Sequence, residues 1–465
     1  MIDLSTLIKP DDPKPIYVQL VEGLRHAITQ GRLAVGTRLP ASRTLAHDLG
    51  VSRSTVIQSY DQLVAEGYIA SRPGSGVFVE DITPLAAVPA PIAPLATSQA
   101  PHSYTSGMLR PGEPDPALFP TGVWARTIAR VSRSTPEALC ILNDPFGDDM
   151  LRAEIANYLH RWRGMTCTPD QILVTSGARE ALELGLDLVI DGQDIGLESP
   201  GFSPLHRFAA VRHWPVRWLT PGQHGPELPR DLAKVTVLTP SHQFPLGGTL
   251  PIAQRQAFLA QAQAQDAWII EDDFDSEFRY AGQPVPAMAG LDQTGRCLYV
   301  GTFSKTFSHA IRLGYLVLPP ALVPHMRQRF VHPSAGASVT AQRPLAHFMA
   351  DGQYDKHIRR ARRHYGERYE AAVTALANWP KVWGRFRHHR AGMQIAFHLA
   401  EGIDDTQICA TAASEGFAVQ PLSSNTPVGA AQGLLIGFCR TQPQDIAPQI
   451  AQLGQHISAT QTRAF

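Results

Sequence analysis

Two short segments in the second half of the sequence carry side chains that together suit covalent chemistry on a carbonyl compound. Lys305 follows Ser304 where one apolar run ends, and Asp272 and Asp273 stand where another ends. A lysine amine forms a Schiff base with a carbonyl carbon, and a carboxylate at the end of a buried strand needs a cationic partner. These residue types are suited to bind one ligand through an amine and a carboxylate.

Two further groups suit a phosphate. Residues 175–178, Thr-Ser-Gly-Ala, open a helix and offer backbone amides and hydroxyls, and Arg312 can add a bidentate contact. An amine, a carboxylate and a phosphate cup are the three parts of a pyridoxal phosphate site. The lysine would form the Schiff base, and the carboxylate would keep the ring nitrogen protonated. The cup would hold the phosphate.

The elements that must position these groups are strands of a mainly parallel sheet. Short apolar runs each precede a polar or glycine-containing cluster, and helical patterns such as 254–265 lie between several of them. The runs are 172–174, 195–197, 235–238, 268–270 and 298–300. Ligands bind at the carboxyl edge of such sheets, so the clusters should converge. The alternative is a substrate-binding α/β domain in which Lys305 is a surface residue and EDDFD a solvated strand end.

The N-terminal region, residues 15–79, shows the order of a winged helix-turn-helix. Helical spacing predicts three helices, which Gly31, Gly50 and Gly67 end, and Ser52 is a good N-cap for the third. Two short apolar runs joined by the turn SRPGSG follow and predict a β-hairpin.

The third helix of this module begins with groups that suit DNA. One arginine, Arg53, and three hydroxyls lie in and just before its first turn, where recognition helices contact base edges. Arg43 in the preceding helix and Arg72 at the hairpin turn could flank it. Residues 14–78 hold seven Lys/Arg against four Asp/Glu, so the module is locally basic. The alternative is a small helical dimerisation module whose arginines are solvated.

Composition argues against several other classes of protein. The 465 residues carry 41 basic and 41 acidic side chains, so the whole chain has no basic excess. Five widely spaced cysteines without a CxxC pair suit neither a disulfide framework nor a metal site. The N-terminus does not resemble a signal peptide, and no run reaches the roughly 18 apolar residues of a membrane span. We expect a cytoplasmic protein without metal.

The N-terminal module resembles a GntR-type winged helix over its full length. The resemblance includes the segment LPASRTLAHDLGVSRSTVIQSYDQLVAEGYIASRPGSG. The resemblance implies DNA contacts at Arg43, Arg53, Ser54 and Thr55, and in the wing at Gly74 and Gly76, next to the Arg72 already named. At Ile57 some relatives carry a basic residue, so that contact would be absent here.

The large domain resembles the class I aminotransferase fold of pyridoxal phosphate enzymes, and the whole chain resembles the MocR/GabR group of regulators. The markers are DPFGDDMLRAEIANYL, VTSGAREAL, ESPGF, TPSHQFPLGG, IIEDDFDSEF and GTFSKTFSHAIRLGY. The expected organisation is a winged helix-turn-helix domain over 1–80, a Pro/Ala-rich linker over 81–107, and an α/β aminotransferase-like domain over 108–465. A run from 83 to 109 without Asp, Glu, Lys or Arg covers most of that linker.

The resemblance also implies roles for single residues. Lys305 would be the Schiff-base lysine, and Asp272 would partner the ring nitrogen, with Asp273 as the fallback. Phe202 would stack on the ring. The phosphate would be held by Ser176, Gly177, Ala178, Thr302, Ser304 and Arg312, and His242 and Gln243 match a motif near the ring hydroxyl.

Two residues depart from the aminotransferase pattern, and both bear on whether the protein can turn over an amino-acid substrate. Phe274 stands where tyrosine is common, so a hydrogen bond to the ring oxygen would be absent. Aminotransferases place an arginine for the substrate carboxylate near the C-terminus, where this chain has Leu435 and the nearest arginine is Arg440. The carboxylate of an amino-acid substrate would be bound less tightly, or by another residue such as Arg207.

These features together predict a pyridoxal-phosphate-dependent transcriptional regulator. An amine, an amino acid or the vitamin B6 cofactor itself would react at Lys305, and a head-to-tail homodimer would bind double-stranded operator DNA. Transaminase activity would be at most residual. The alternatives are a working aminotransferase with an appended DNA-binding module and a regulator that binds a small molecule non-covalently.

Overall fold

The chain forms two compact units, Met1–Tyr104 and Thr105–Phe465, in the computed structural model. The structure describes residues 8, 12–82, 107–141, 144–282, 285–330, 336–429 and 431–463. Only residues 81, 82 and 107 of the predicted linker are among them, so the linker and the domain limits it implies remain predictions.

The first unit contains three helices and a small antiparallel sheet in strand order β1-β3-β2 within its described residues. Its elements are α1 Ile16–Thr29, β1 Arg38–Leu39, α2 Ser42–Leu49, α3 Arg53–Ala65, β2 Ile69–Arg72 and β3 Gly76–Val79.

The predicted helix ends of this unit are confirmed. The hydroxyl of Ser52 accepts a hydrogen bond from the amide of Thr55 at 3.1 Å, and Gly50 ends α2 in the left-handed region at φ 65°. The hairpin is confirmed as β2 and β3, but strand β1 was not predicted. Its two residues pair with β3 and leave too short a pattern to be found from sequence.

The second unit begins with helix α4 and continues with an alternation of strands and helices. Its helices are α4 Thr121–Ser134, α5 Asp149–Arg163, α6 Ala178–Val189, α7 Ser203–Val211, α8 Ile252–Ala264, α9 Met288–Leu291, α10 Val323–Arg329, α11 Gln342–Ala350, α12 Gln353–Ala377, α13 Asp405–Ser414 and α14 Pro443–Arg463. Its strands are β4 Ile172–Thr175, β5 Ile195–Glu198, β6 Val216–Leu219, β7 Val235–Leu238, β8 Trp268–Asp273, β9 Cys297–Thr302, β10 Gly314–Val317, β11 Gly384–Phe386, β12 Gln394–Leu399, β13 Gln420–Pro421 and β14 Gly433–Gly437.

The large sheet of this unit has the order β4-β10-β9-β8-β7-β5-β6. Strand β10 is antiparallel to both of its neighbours, and the other strands run in one direction. Strands β4, β5 and β7 are buried along their whole length, as strands covered on both faces must be. The five predicted strands and the helix predicted over 254–265, which is α8, are confirmed, and so is the α/β fold class.

A second, antiparallel sheet of order β11-β12-β14-β13 forms near the C-terminus. Helices α12, α13 and α14 pack beside it around a core that includes Tyr365, Phe397, Ile436 and Ile450. Among the described residues, no helix combines the length and the hydropathy needed to cross a bilayer.

Candidate cofactor site and nucleic-acid interface

A cavity of about 500 Å³ lies at the carboxyl ends of β4, β8 and β9. This volume is in the range of small-molecule sites. Because six strands of the large sheet point the same way, the polar clusters that follow them meet here as expected. The predicted residues that line the cavity are Ser176, Gly177, Ala178, Phe202, Asp272, Thr302, Ser304, Lys305 and Arg312.

Lys305 reaches the cavity from the turn after β9. Its Nζ donates a 2.6 Å hydrogen bond to the carbonyl oxygen of Gly112, a neutral acceptor. Removal from water lowers the pKa of the Lys305 ammonium below its usual 10.5, and the carboxylates of Asp275 and Glu113 oppose this shift. A larger share of the amine is therefore unprotonated, as attack on a carbonyl carbon requires.

Asp272 faces the cavity from the end of β8. Its Oδ1 is buried and has no hydrogen-bond partner in the described part of the chain. Burial, and then the charge of Asp273, raise the pKa of the Asp272 carboxyl from its usual 3.8 to about 7. An unsatisfied buried oxygen of this kind fits the protonated ring nitrogen of pyridoxal phosphate.

Asp273 lies on the opposite face of β8, because successive strand residues alternate. Its Oδ2 lies 2.8 Å from Nε of buried Arg163 and accepts a 2.6 Å hydrogen bond from the hydroxyl of Tyr299. Asp273 does not line the cavity, so the geometry favours Asp272 over the fallback.

The loop between β4 and α6 forms the part of the cavity that suits a phosphate. Gly177 has φ 126°, which side chains rarely adopt, and it is the N-cap of α6. A Cβ on Gly314 in neighbouring β10 would stand 2.7 Å from the carbonyl carbon of Gly177 and 2.9 Å from the amide nitrogen of Ala178. Only glycine lets the sheet approach this loop so closely.

Arg312 lines the same cavity and is exposed. Its guanidinium has no ion pair or hydrogen bond to any described residue. The backbone amides at the start of α6 together with this free guanidinium fit a dianionic phosphate.

Three aromatic side chains line the cavity beside these polar groups. The ring of Phe244 lies 6.0 Å from that of Phe202 and 5.7 Å from that of Phe274, edge to face in both cases. His242 and Gln243 do not line the cavity. His242 lies against Phe274, with Nδ1 3.0 Å from a carboxylate oxygen of Asp275, so it acts on a ligand only through its neighbours.

Gln243 is buried and bonds to the carboxylate of Glu198 at 3.1 Å and to the carbonyl oxygen of Pro200 at 3.0 Å. The amide therefore holds the loop after β5 and does not meet a ligand in the cavity.

The residues considered for a substrate carboxylate do not line the cavity either. Leu435 is fully buried in an apolar cluster with Leu246 and Leu422. Arg440 is paired with Glu113 at 2.5 Å, and Arg207 is exposed on α7.

Several lining residues were missed from the sequence because they come from segments outside the five strand-end clusters. Gln394 on β12, Gln420 on β13, Asn425 after it and Gly112 line the cavity, and no short motif marks these positions. His309 also lines it and lies inside the quoted segment GTFSKTFSHAIRLGY, where its place in the cavity was not recognised.

In the first unit, the predicted DNA-contacting groups lie around the start of α3. The Nε atom of Arg53 is 3.5 Å from the hydroxyl of Ser42 at the start of α2, so the two helix N-termini are adjacent. Arg43 is exposed on α2. The hydroxyls of Ser54 and Thr55 each lie 2.7 Å from that of Ser52.

The wing carries the remaining predicted groups. Arg72 lies over the ring of Phe78 at 4.9 Å, and Gly74 and Gly76 adopt positive φ angles of 71° and 111°. A Cβ on Gly76 would stand 2.9 Å from Nε of Arg38, so this arginine on β1 lies against the wing. Sequence reasoning missed Arg38 because it did not find β1. Ile57 is exposed on α3.

Comparisons with known proteins agree with both units. Residues 16–79 match the family model of bacterial regulatory proteins of the gntR family, and residues 115–426 match that of class I and II aminotransferases.

Two relatives extend over almost the whole chain. The sequence is 34% identical to the probable rhizopine catabolism regulatory protein MocR of Rhizobium meliloti, with 95% of this chain and 94% of that protein covered. It is also 34% identical to the pyridoxine biosynthesis transcriptional regulator PdxR of Corynebacterium glutamicum, with 98% and 99% covered. Among solved structures, the kynurenine aminotransferase of Pyrococcus horikoshii superposes with a TM-score of 0.70 at 23% identity, covering 76% of this chain and 92% of that one.

Proposed function

Because the chain belongs to the MocR-type regulators, which join a gntR-family winged helix to an aminotransferase class I and II domain, we propose that it is a transcriptional regulator controlled by pyridoxal phosphate chemistry. Its winged helix binds operator DNA. Its second unit binds the cofactor and an amine effector.

The observation that carries the cofactor proposal is the set of unsatisfied groups in one cavity. Lys305 offers an amine of lowered pKa, Asp272 a buried oxygen without a partner, and Arg312 a free guanidinium. Each would be satisfied by a different part of one molecule: the aldehyde carbon, the ring nitrogen and the phosphate. A purely structural α/β domain has no reason to gather all three.

When bound, the cofactor supplies a carbonyl carbon that exchanges amines and withdraws electrons from them. Lys305 would hold that carbon through its amine nitrogen. An amine effector that competes for the same carbon would release the Lys305 side chain as a free amine. Such an exchange regulates DNA binding only if the two states of the protein bind the effector with different affinity.

None of the three positions considered for a substrate carboxylate lines this cavity, so we propose that transamination is residual. Leu435 lies in an apolar cluster, and Arg440 is engaged by Glu113. We also propose a head-to-tail homodimer located in the cytoplasm, following the organisation that the family resemblance implies.

The cofactor proposal is tested with the purified full-length protein and the Lys305→Ala variant. We expect pyridoxal phosphate to give a visible absorbance band that survives dialysis in the native protein and is lost in Lys305→Ala. A band of equal strength in the variant would contradict covalent capture by Lys305. Product that accumulates beyond one turnover with an amino acid and an oxo acid would instead favour an enzyme.

The DNA-binding proposal is tested with Arg53→Ala. We expect binding to an operator fragment in a gel-shift assay to fall by at least tenfold, because the arginine lies in the first turn of α3. The cofactor absorbance should not change. Unaltered DNA binding would show that α3 is not the recognition helix.

A further inference from the structure

We propose that the effector is an amine whose other end is a neutral hydroxylated group, and that an α-amino acid carboxylate is disfavoured in this cavity. This inference rests on the proposed function and specifies the class of effector. It follows from which polar groups line the cavity and from where the second sheet places them.

Three primary amides line the cavity on the side formed by the second sheet and the loop after β13: Gln394, Gln420 and Asn425. None of their side chains has a hydrogen bond to another described residue. An amide offers a donor and an acceptor side by side, which is the pattern that a hydroxyl group also presents. A carboxylate could use only the donors and would leave the oxygen of the buried Asn425 amide without a partner from the ligand.

Gln394 is within reach of a ligand held at the amine. A Cβ on Gly112 would stand 3.0 Å from Nζ of Lys305 and 3.5 Å from Oε1 of Gln394, so both atoms border the same small space. An amine that replaces Lys305 therefore has an amide beside its substituents.

The register of the second sheet shows which residues surround Leu435, the residue at the position of the aminotransferase arginine. Leu435 on β14 lies opposite Ala396 on β12 and Gln420 on β13, so their side chains share one face of the sheet. Gln394 lies two residues before Ala396 and thus on the same face. Leu435 therefore lies between Ala396 and Gln420 on this face, at the position where the resemblance implies an arginine for a carboxylate.

The charged groups around Lys305 leave few cationic partners for a second anion. The charged groups that act most strongly on its ammonium are the carboxylates of Asp275 and Glu113. Of the cavity's arginines, Arg179 is paired with Glu183 at 2.7 Å, and Arg312 is the one assigned to the phosphate. The lining then leaves a carboxylate only Lys305 and His309 as basic side chains, and burial lowers the pKa of both.

The test uses the full-length protein loaded with pyridoxal phosphate and amine pairs that differ only in this group. The pairs are L-serine with 2-amino-1,3-propanediol and L-alanine with 2-aminopropan-1-ol. We expect the amino alcohol of each pair to shift the absorbance band with a dissociation constant at least tenfold lower than that of the amino acid. Equal or tighter binding of the amino acids would overturn the inference and leave the proposed function standing.

The same measurement distinguishes failure of this inference from failure of the proposed function. If the cofactor band forms but neither member of a pair shifts it, both the inference and amine sensing are overturned. If no band forms before any amine is added, the cofactor proposal itself fails, and the inference fails with it.

A single substitution provides a second test. Gln420→Arg puts a guanidinium on an exposed side chain across the sheet from Leu435, without burying a charge. We expect it to tighten amino acid binding by at least tenfold and to change amino alcohol binding little. Gln263→Arg, an exposed site on α8 away from the cavity, is the matched control and should change neither. An unchanged preference in Gln420→Arg would overturn the inference.

Discussion

Asp272 and Asp273 are neighbours on β8, and their side chains have opposite surroundings. Asp272 borders the cavity with an unsatisfied oxygen, whereas Asp273 is paired with buried Arg163. The same substitution at the two positions should therefore have different consequences, which makes them controls for each other.

We expect Asp272→Asn to weaken pyridoxal phosphate binding by about 1.5–3 kcal/mol, the usual contribution of a hydrogen bond to a charged group. Asp273→Asn leaves Arg163 without its counter-charge and should lower the free energy of unfolding by about 3–5 kcal/mol. Absorbance titration and urea denaturation separate the two effects. A larger loss of cofactor affinity in Asp273→Asn than in Asp272→Asn would show that the wrong carboxylate has been assigned to the ring.

Burial raises the pKa of the Asp272 carboxyl to about 7, and that of the Glu198 carboxyl to about 7 as well. Between pH 4 and 7 the folded protein without cofactor therefore binds more protons at these carboxyls than the unfolded chain does. Their contribution to stability is present at low pH and is lost as pH rises toward 7.

The free energy of unfolding of the cofactor-free protein should fall between pH 4 and 7. We expect Asp272→Asn to make this fall smaller by roughly 1.4 kcal/mol for each pH unit. Urea denaturation of the cofactor-free protein at several pH values measures it. With saturating cofactor the two proteins should show the same pH dependence of stability, because the protonated ring nitrogen would keep Asp272 ionised. The native protein should remain the more stable one, since it binds the cofactor more tightly. Parallel stability curves without cofactor would contradict a raised pKa.

At the scale of elements, the phosphate cup depends on how closely β10 approaches the start of α6. Gly314→Ala would place a methyl group 2.7 Å from the carbonyl carbon of Gly177, and backbone has to move to relieve that contact. We expect at least a tenfold loss of cofactor affinity, measured by absorbance titration.

Gly185→Ala, inside α6, is the control. Its Cβ would meet side chains at 3.5 Å, an ordinary contact, and alanine favours a helix interior over glycine by roughly 0.5–1 kcal/mol. It should leave the affinity unchanged. Equal losses in both variants would mean that α6 responds to any added volume, and the cup would not depend on Gly314.

At the scale of the whole molecule, the net charge of zero hides an uneven distribution. Residues 14–78 are basic, with seven Lys/Arg against four Asp/Glu, although the chain is balanced overall. Electrostatic attraction to DNA should therefore come from the winged helix, through Arg38, Arg43 and Arg53.

We expect Arg38→Gln to weaken operator binding and to reduce the slope of log K against log salt concentration by about 1 for each winged helix bound. Arg25→Gln, which removes the partner of Glu66 in the same unit, should affect stability but not the slope. Fluorescence anisotropy at several salt concentrations measures both. An identical slope in Arg38→Gln and the native protein would exclude a phosphate contact by Arg38.

Much of both units could be predicted from the sequence, because the determining interactions are local. Apolar runs that end in polar clusters specified the strands of the large sheet, and Ser52 and Gly50 specified helix ends through hydrogen bonds and backbone angles within a few residues. Parallel strands then required the clusters of Lys305 and Asp272 to meet at one edge.

Only the tertiary structure decided what depends on segments far apart in the chain. It turned Asp272 to the cavity and Asp273 to Arg163, and it placed His242 beside Asp275, away from the cavity. It also brought Gln394 and Gln420 beside Lys305 from a different sheet. No local pattern encodes these neighbours, because burial, charge and hydrogen bonding at each position are set by whichever distant segment packs against it.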